Sequence, residues 1–322
     1  MSARAVSRAV AARACRGFSL VELLVGIGIS LVILMAAVAM YITTASIGRA
    51  NQRVSDIQVN GQQAMDALRR DIINAGFRGL TGDPDQLAPA SLTVTNDCAS
   101  GFTMNLRQGV WGANDSNPFS STCIPSANYL RGDVLAIRRL AVVPTGTLQA
   151  TQLYVRSAYQ MGQYFLGSSP PTWFAFSPAA DYIADAAVYF ISPFTVSSAE
   201  SPNVPALYRV RLGRGPAIGA PELVASGVED LQVQFDVLDT TANQVRIYDA
   251  GGAPLDAGST TSTSSGWDNV TAVRVFLLVR AQSGDLGFAP GSRSYTLGSR
   301  TVTYDDNIPR QVAASVFSLR NP

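Results

Sequence analysis

The feature that most constrains this chain is an apolar run near its N-terminus. From Phe18 to Gly48 the sequence contains 31 residues and one charged side chain, Glu22. As an α-helix this run would be about 46 Å long, enough to cross a hydrocarbon core of about 30 Å. A carboxylate inside lipid costs about 3 kcal/mol and usually serves a function. The run therefore predicts a membrane-spanning helix in which Glu22 needs a specific explanation.

A basic segment precedes the apolar run. Residues 1–17 contain four arginines and no acid, whereas the remaining chain has 20 Arg against 23 acids. A basic flank is retained in the cytoplasm, so the residues after the helix are expected on the opposite side. A cleaved secretory signal is disfavoured because the run is too long and lacks an early small-x-small cleavage site. A lipoprotein signal at Cys15 is disfavoured because the apolar residues follow that cysteine.

The segment GFSLVE, residues 17–22, resembles the type III signal of type IV pilins and type II secretion pseudopilins. In that family a prepilin peptidase cuts after the glycine, and the new N-terminal residue is N-methylated. The resemblance implies cleavage between Gly17 and Phe18, and N-methylation of Phe18. It also implies that Glu22, the fifth mature residue, acts in filament assembly. A plain membrane anchor would leave Glu22 unexplained.

The same resemblance implies a partner for the Glu22 carboxylate. Cleavage frees the α-amine of Phe18, and Glu22 of an adjacent subunit can neutralise that amine inside the filament. At about 4 Å such a pair is worth up to about 4 kcal/mol at an effective dielectric near 20, before desolvation costs. A carboxylate that is unpaired in the membrane and paired in the filament would favour assembly and set the axial register.

The helical pattern continues beyond the apolar run. Apolar and small residues at steps of three and four predict an amphipathic stripe of Val54, Ile57, Gly61, Met65 (or Ala64), Leu68 and Ile72. No proline interrupts residues 18–77, and the glycines and the proline within 76–84 end the helix. Asp66 and Arg70, four apart on the polar side, predict a modest stabilising pair. One helix of about 90 Å, or two helices with a kink near Gly48, would both fit this pattern.

Strand-like runs replace helical ones after about residue 85. Stretches rich in β-branched and aromatic residues predict strands in 133–143, 151–158, 186–192, 206–212, 230–238, 269–281, 299–304 and 311–320. In 230–238 apolar residues alternate with Gln and Asp, which predicts an antiparallel strand with one buried and one wet face. The low-complexity stretch 250–266 predicts a surface loop. The predicted fold class is α+β, with a long N-terminal helix packed on a large β-rich head, as in type IV pilins.

Three cysteines are present, an odd number for an exported protein. Cys98 and Cys123 lie 25 residues apart in a loop-rich segment. Export of the head favours a disulfide between them, worth roughly 3.5 kcal/mol by loop closure. Cys15 would leave with the leader. Two free buried thiols are the alternative.

The composition excludes several chemistries. The sequence has no histidine, which removes Ser-His-Asp and Cys-His catalysis and His-based zinc sites. Adjacent acids at 229–230 and 305–306 would point to opposite faces of a strand and make poor hydrolytic dyads. We expect no enzyme, no cofactor and no nucleic-acid partner, since no basic stripe is present. The YDDN stretch at 304–307 leaves calcium as an open alternative, and no metal site is assigned.

The resemblance divides the chain into four segments. These are a cleaved basic leader (1–17), a transmembrane half-helix (18–48), an amphipathic half-helix (49–80) and a β-rich periplasmic head (81–322). Within the family, the stretches that look most like PilW-type minor pilins are 64–79, 131–139, 223–239, 267–281 and 310–321.

The expected function is that of a minor pilin, at or near the filament tip, which helps to initiate and assemble a type IV pilus. Expected partners are the prepilin peptidase, other minor pilins, the major pilin and the inner-membrane assembly platform. The protein would cross the inner membrane once, with its N-terminus cytoplasmic and its head periplasmic, before joining a surface pilus. The alternatives are the J-type pseudopilin of a type II secretion system and a pilus-tip adhesin.

Overall fold

A computed structural model describes residues 17, 19–88, 92–172, 177–252, 254–255, 266–284 and 291–321. The leader up to residue 16, including Cys15, lies outside the described residues, as do Phe18 and most of the 250–266 loop. Contacts divide the chain into two compact units, Met1–Asn51 and Gln52–Pro322.

A single helix, α1, runs from Leu20 to Ile72 without interruption. One continuous helix is therefore formed, rather than two helices meeting near Gly48. The predicted stripe is buried from Ile57 onward, whereas Val54 is exposed. The Arg70 guanidinium donates to the main-chain carbonyl of Asp66 at 3.1 Å. The two predicted neighbours are therefore in contact, but this bond goes to the backbone of Asp66 and not to its carboxylate.

The helix ends a few residues earlier than its sequence pattern suggests. The Asn74 side-chain amide donates to the Arg70 carbonyl at 3.0 Å, and the Arg320 N–H donates to the Ile73 carbonyl at 3.1 Å. Gly76 then takes a φ of 73°, a region that favours glycine. These bonds satisfy carbonyls that the helix end would otherwise leave without donors.

Fourteen strands follow within the described residues. They are β1 (Leu87–Ala88), β2 (Val110–Ala113), β3 (Val134–Leu140), β4 (Leu153–Ala158), β5 (Met161–Leu166), β6 (Ala179–Ser192), β7 (Ala206–Arg211), β8 (Glu222–Ser226), β9 (Val228–Asp239), β10 (Gln244–Asp249), β11 (Val270–Arg280), β12 (Arg293–Leu297), β13 (Arg300–Tyr304) and β14 (Arg310–Ser318). Short 3-10 turns lie at Pro84–Gln86, Ser126–Asn128 and Gly266–Asn269. Each of the eight predicted runs overlaps one of these strands.

The strands form three sheets. The largest has eight strands in the order β1-β5-β4-β6-β3-β2, with β7 paired to β6 and β8 paired to β7. Its pairs are antiparallel except for the short β1–β5 pair. A four-stranded antiparallel sheet has the order β10-β9-β11-β14, and β12 and β13 form a separate hairpin. One apolar core unites the second half of α1 with the two larger sheets.

The prediction of one wet face on β9 is wrong. Gln232 and Asp236, on the polar face, are only 4% and 8% exposed. The Gln232 amide donates to Asp115 at 3.0 Å, and the Asp236 carboxylate accepts from the Arg274 guanidinium at 2.6 Å. The β12–β13 hairpin also approaches this face, since a Cβ on its Gly298 would lie 3.1 Å from Gln234. The alternating sequence pattern shows which side chains share a face of the strand. It does not show that polar groups from other elements cover the polar face.

Candidate functional site

The first turn of α1 holds the predicted assembly residue. Ser19 precedes the helix, and its hydroxyl accepts the Glu22 N–H at 3.2 Å. The Ser19 carbonyl accepts the Leu23 N–H at 3.0 Å. This is the N-cap half of a capping box, for which Ser-x-x-Glu is the sequence signature. Sequence reasoning treated Glu22 only as a charge in lipid and missed its place in a cap.

Both residues that flank the expected cleavage site lie just before this cap. Gly17 is exposed, and a Cβ added to it would meet nothing within 4 Å. Phe18 lies outside the described residues. Glu22 is exposed in the first helical turn, where the positive end of the helix dipole favours an anion.

The first part of α1 presents an unbroken apolar surface. Its large side chains are exposed, with Leu20, Val25, Ile29, Leu34 and Ile42 among them. The helix is long and apolar enough to cross a membrane. Among the described residues of its own unit this surface has no partner, so its apolar area is available to lipid or to other helices.

Three hydroxyl groups in this apolar segment are bonded within the helix. Ser30 donates to the Gly26 carbonyl at 2.7 Å, Thr43 to the Ala39 carbonyl at 2.9 Å, and Ser46 to the Thr43 carbonyl at 2.7 Å. Such back-bonding removes the need of these groups for an outside partner. Glu22 differs from them because it is the charged side chain of the segment.

The second part of α1 contains a buried acid that the sequence analysis did not single out. Asp71 is almost fully buried. Its carboxylate accepts from the Tyr189 hydroxyl at 2.6 Å and from the Arg139 guanidinium at 3.0 Å. Arg139 also pairs with Asp185 at 2.8 Å. Burial, together with the Asp71 charge, raises the pKa of Tyr189 above its ordinary value, so this hydroxyl stays a donor.

The Asp71 cluster joins the end of α1 to the eight-stranded sheet. Tyr189 lies on β6 and Arg139 on β3. An acid three residues after Leu68 and next to Ile72, beside the predicted stripe, was the available signal. Its partners could not be found without the strand pairing.

Cys98 and Cys123 form a disulfide, with their Cα atoms 4.8 Å apart. Both are buried within the core. The Thr122 hydroxyl donates to the Cys98 carbonyl at 2.6 Å, and the Asp97 carboxylate accepts the Cys98 N–H at 3.0 Å. The bridge ties down a segment in which β2 is the one strand that the structure describes between residues 92 and 130.

The YDDN stretch is used for an ion pair. Arg310 donates to both carboxylate oxygens of Asp306, at 2.7 and 2.8 Å, and to Glu229 at 2.6 Å. The hydrogen bond from Arg310 lowers the pKa of Asp306 to about 2. In the part of the chain that the structure describes, no group of three Cys, Asp or Glu side chains could hold a metal ion.

Two family models match the sequence. Residues 188–321 match the family described as type IV pilus-assembly protein W, and residues 12–38 match the prokaryotic N-terminal methylation motif. The two matches support a type IV pilin-like minor pilin. The second match includes Gly17, Phe18 and Glu22, and the first covers β9, β11 and β14 of the head.

Among solved structures, the chain is similar to the type IV-like pilin TTHA1219 from Thermus thermophilus. The two share 15% identity over 84% of this chain and 97% of the other, with a TM-score of 0.32. A likeness at that level carries no weight for the fold or the function. The comparison with curated proteins gives no match.

Proposed function

We propose that this minor pilin helps to initiate and assemble the type IV pilus, at or near the filament tip. The observation that carries the proposal is the exposed Glu22 carboxylate in the first turn of an exposed apolar helix. The prepilin peptidase would cut between Gly17 and Phe18, and Phe18 would be N-methylated. Residues 18–48 would span the inner membrane, 49–80 would form the amphipathic half-helix, and 81–322 would be the periplasmic head.

Glu22 would then change partners during assembly. In the membrane the helix dipole lowers the cost of the charge without neutralising it. In the filament the α-amine of Phe18 on an adjacent subunit would supply the opposite charge. Because Glu22 is the charged side chain of the apolar segment, its pairing with that amine would select one axial register.

A Glu22→Gln variant tests this role directly. The substitution removes the charge and keeps the shape, so insertion into the membrane and cleavage at Gly17 should persist. Recovery of the variant in sheared pili should fall about tenfold or more, since a lost pairing of about 1.4 kcal/mol already changes an equilibrium tenfold. Mass spectrometry should show mature chains of both proteins that start at N-methyl-Phe18.

The control is Asp66→Asn, which removes the charge of an exposed acid later on the same helix, outside the apolar run, and should leave recovery unchanged. Wild-type recovery of the Glu22→Gln protein would show that Glu22 has no part in assembly. A mature N-terminus other than Phe18 would refute the processing scheme.

A deletion strain separates the alternatives to a pilus role. Loss of pili with normal protein secretion fits a minor pilin, whereas loss of secretion with normal pili fits a J-type pseudopilin. Normal pilus number with weakened attachment fits a tip adhesin.

A further inference from the structure

The strand β14 is the outermost strand of the four-stranded sheet, and its open edge can be assigned residue by residue. The Ala281 N–H donates to the Pro309 carbonyl at 3.0 Å, and the Leu319 N–H donates to the Thr271 carbonyl at 2.9 Å. In each of these two bonds the donor and the acceptor belong to directly opposite residues. Hydrogen-bonded and non-hydrogen-bonded pairs alternate along an antiparallel ladder. The register pairs at the two ends of the β11–β14 ladder lie next to these bonded residues and are therefore non-hydrogen-bonded pairs.

Because the two kinds of pair alternate, the direction of each main-chain N–H and C=O group of β14 follows from its position in the ladder. The β11–β14 register runs without a shift from end to end. The main-chain N–H and C=O groups of Val312, Ala314 and Val316 therefore point away from β11. In the described part of the chain no strand pairs with β14 on that side. These three residues present a short row of donors and acceptors with the geometry of a sheet edge.

This edge lacks the usual protection against pairing. Residues 311–319 contain no charge and no proline, although charges, prolines and bulges are what native edges use to prevent strand addition. Arg310, the first residue of β14, is 2% exposed at its side chain and bound to Glu229 and Asp306. The opposite edge of the sheet differs, because β10 carries Arg246, which pairs with Asp239 at 3.8 Å.

A groove runs along the same edge. It has a volume of about 360 Å³ and lies between α1 and β14, lined by Ile57, Gln58, Gly61, Gln62, Met65, Val279, Gln311 and Ala313. The helix lies close to the sheet at Gly61, where a Cβ would be in ordinary contact with Val279 at 3.4 Å. The lining contains apolar groups and neutral amides and no charge. A strand added to β14 would direct alternate side chains into this groove.

We infer that the β14 edge and its groove bind an extended, uncharged segment of a different pilin subunit by strand addition. The open backbone groups require an extended partner, and the uncharged edge and groove favour a partner segment without charge. A second copy of this chain is a poorer occupant. Two copies paired through one shared edge form a closed two-fold dimer, whereas subunits along a helical filament make head-to-tail contacts. The inference rests on the proposed pilus function.

Two variants on β14 and a matched control test the inference in cells that make pili. Ala314→Pro removes an outward N–H without removing a bond to β11, and Val316→Lys places an uncompensated charge at the edge opposite Arg274. Val245→Lys on β10 is the control, because Val245 is 55% exposed and Val316 is 52% exposed. Recovery in sheared pili should fall about tenfold for both β14 variants, as for a loss of about 1.4 kcal/mol in association. The control should assemble normally.

A benzophenone amino acid at position 314, with position 245 as control, identifies the occupant. Ultraviolet crosslinking in the assembled pilus should join position 314, and not 245, to an uncharged peptide of another pilin. A crosslink to a second copy of this chain, or no crosslink, would overturn the inference, as would normal assembly of both β14 variants. Normal piliation in a deletion strain would instead refute the proposed function. Thermal unfolding of each purified full-length variant checks that its head is folded.

Discussion

The two parts of α1 belong to one helix but differ in whether their apolar side chains are exposed or buried. In the part before Asn51 the large apolar side chains are exposed, whereas Ile57, Leu68 and Ile72 in the later part are buried. Both parts have the same local structure, so the difference lies in what is available to cover them. The later part is covered by strands of its own chain. The earlier part depends on lipid or on other subunits.

Polar groups separate the two parts just as clearly. In the earlier part Ser30 and Thr43 bond to the helix's own backbone, and Ser19 caps it. In the later part Asp71 bonds to Tyr189 and Arg139, which lie on two different strands. The earlier part can therefore form before the head exists, whereas the later part is completed only by the folded head.

Removal of Asp71 should give the largest effect on the head. Asp71→Ala leaves Arg139 and Tyr189 without their shared acceptor, which should cost about 3–5 kcal/mol of unfolding free energy. Denaturant unfolding, followed by the fluorescence of the buried Trp111 and Trp267, measures it. The control is Asp66→Ala, one turn earlier on the exposed side of the helix, and it should change stability little. Equal effects would show that the Asp71 cluster does not hold the helix to the head.

Loss of the disulfide should destabilise the head while sparing the earlier part of α1. Cys98→Ala with Cys123→Ala should lower the unfolding free energy by roughly 3.5 kcal/mol, because the unfolded chain regains the freedom of a closed loop. Membrane insertion should be unchanged. Alkylation of both wild-type cysteines without reductant would contradict the bridge, and a failure to insert would contradict the independence of the two parts.

Loss of the Ser19 cap should affect the start of α1 alone. Ser19→Ala should cost about 1 kcal/mol locally, since a side-chain acceptor for the Glu22 N–H disappears. Hydrogen exchange of the full chain in micelles should speed up at residues 20–22, with head unfolding unchanged. Ser30→Ala is the control, because Ser30 caps no terminus and should leave these amides alone. A shift in head unfolding after Ser19→Ala would break the separation between the two parts.

The smallest expected effect is on the stability of the head at acid pH. Since Arg310 lowers the pKa of Asp306 to about 2, this group stabilises the head above its ordinary titration range near pH 4 and stops doing so as the pH falls towards 2. The side chain of Asp306 is 37% exposed, so the contribution should stay under about 1 kcal/mol. Asp306→Asn should lower stability slightly at pH 7 and flatten its fall between pH 4 and 2. An unchanged acid profile would exclude this ion pair as a source of pH dependence.

The spacing of apolar residues was enough to predict those helices and strands in which that spacing is regular. The apolar run, the stripe from Ile57 and the eight strand-like runs all reflect burial that the sequence repeats at a fixed spacing. Strands such as β2, β5 and β10 were missed because they are short or flanked by glycine and polar residues. Their pairing depends on neighbours far away in the sequence.

The candidate site was predicted unevenly for the same reason. Gly17, Phe18 and Glu22 lie together in the sequence, so a short motif was sufficient to mark them. Asp71 and the open edge of β14 were not predicted, because each acquires its meaning from partners more than a hundred residues away or from the absence of a neighbouring strand among the described residues. These roles depend on contacts between residues far apart in the sequence, and the spacing of apolar residues within one segment does not show such contacts.

The bond from Arg320 to the Ile73 carbonyl has a consequence for biosynthesis. Arg320 lies 247 positions after Ile73, so at about 5–20 residues per second a ribosome makes it roughly 12–50 seconds later. During that interval the Ile73 carbonyl lacks this donor, and the four-stranded sheet lacks its edge strand β14. The earlier part of α1 can enter the membrane within that interval, which would keep the nascent chain attached to the bilayer while its head waits for the residues that close it.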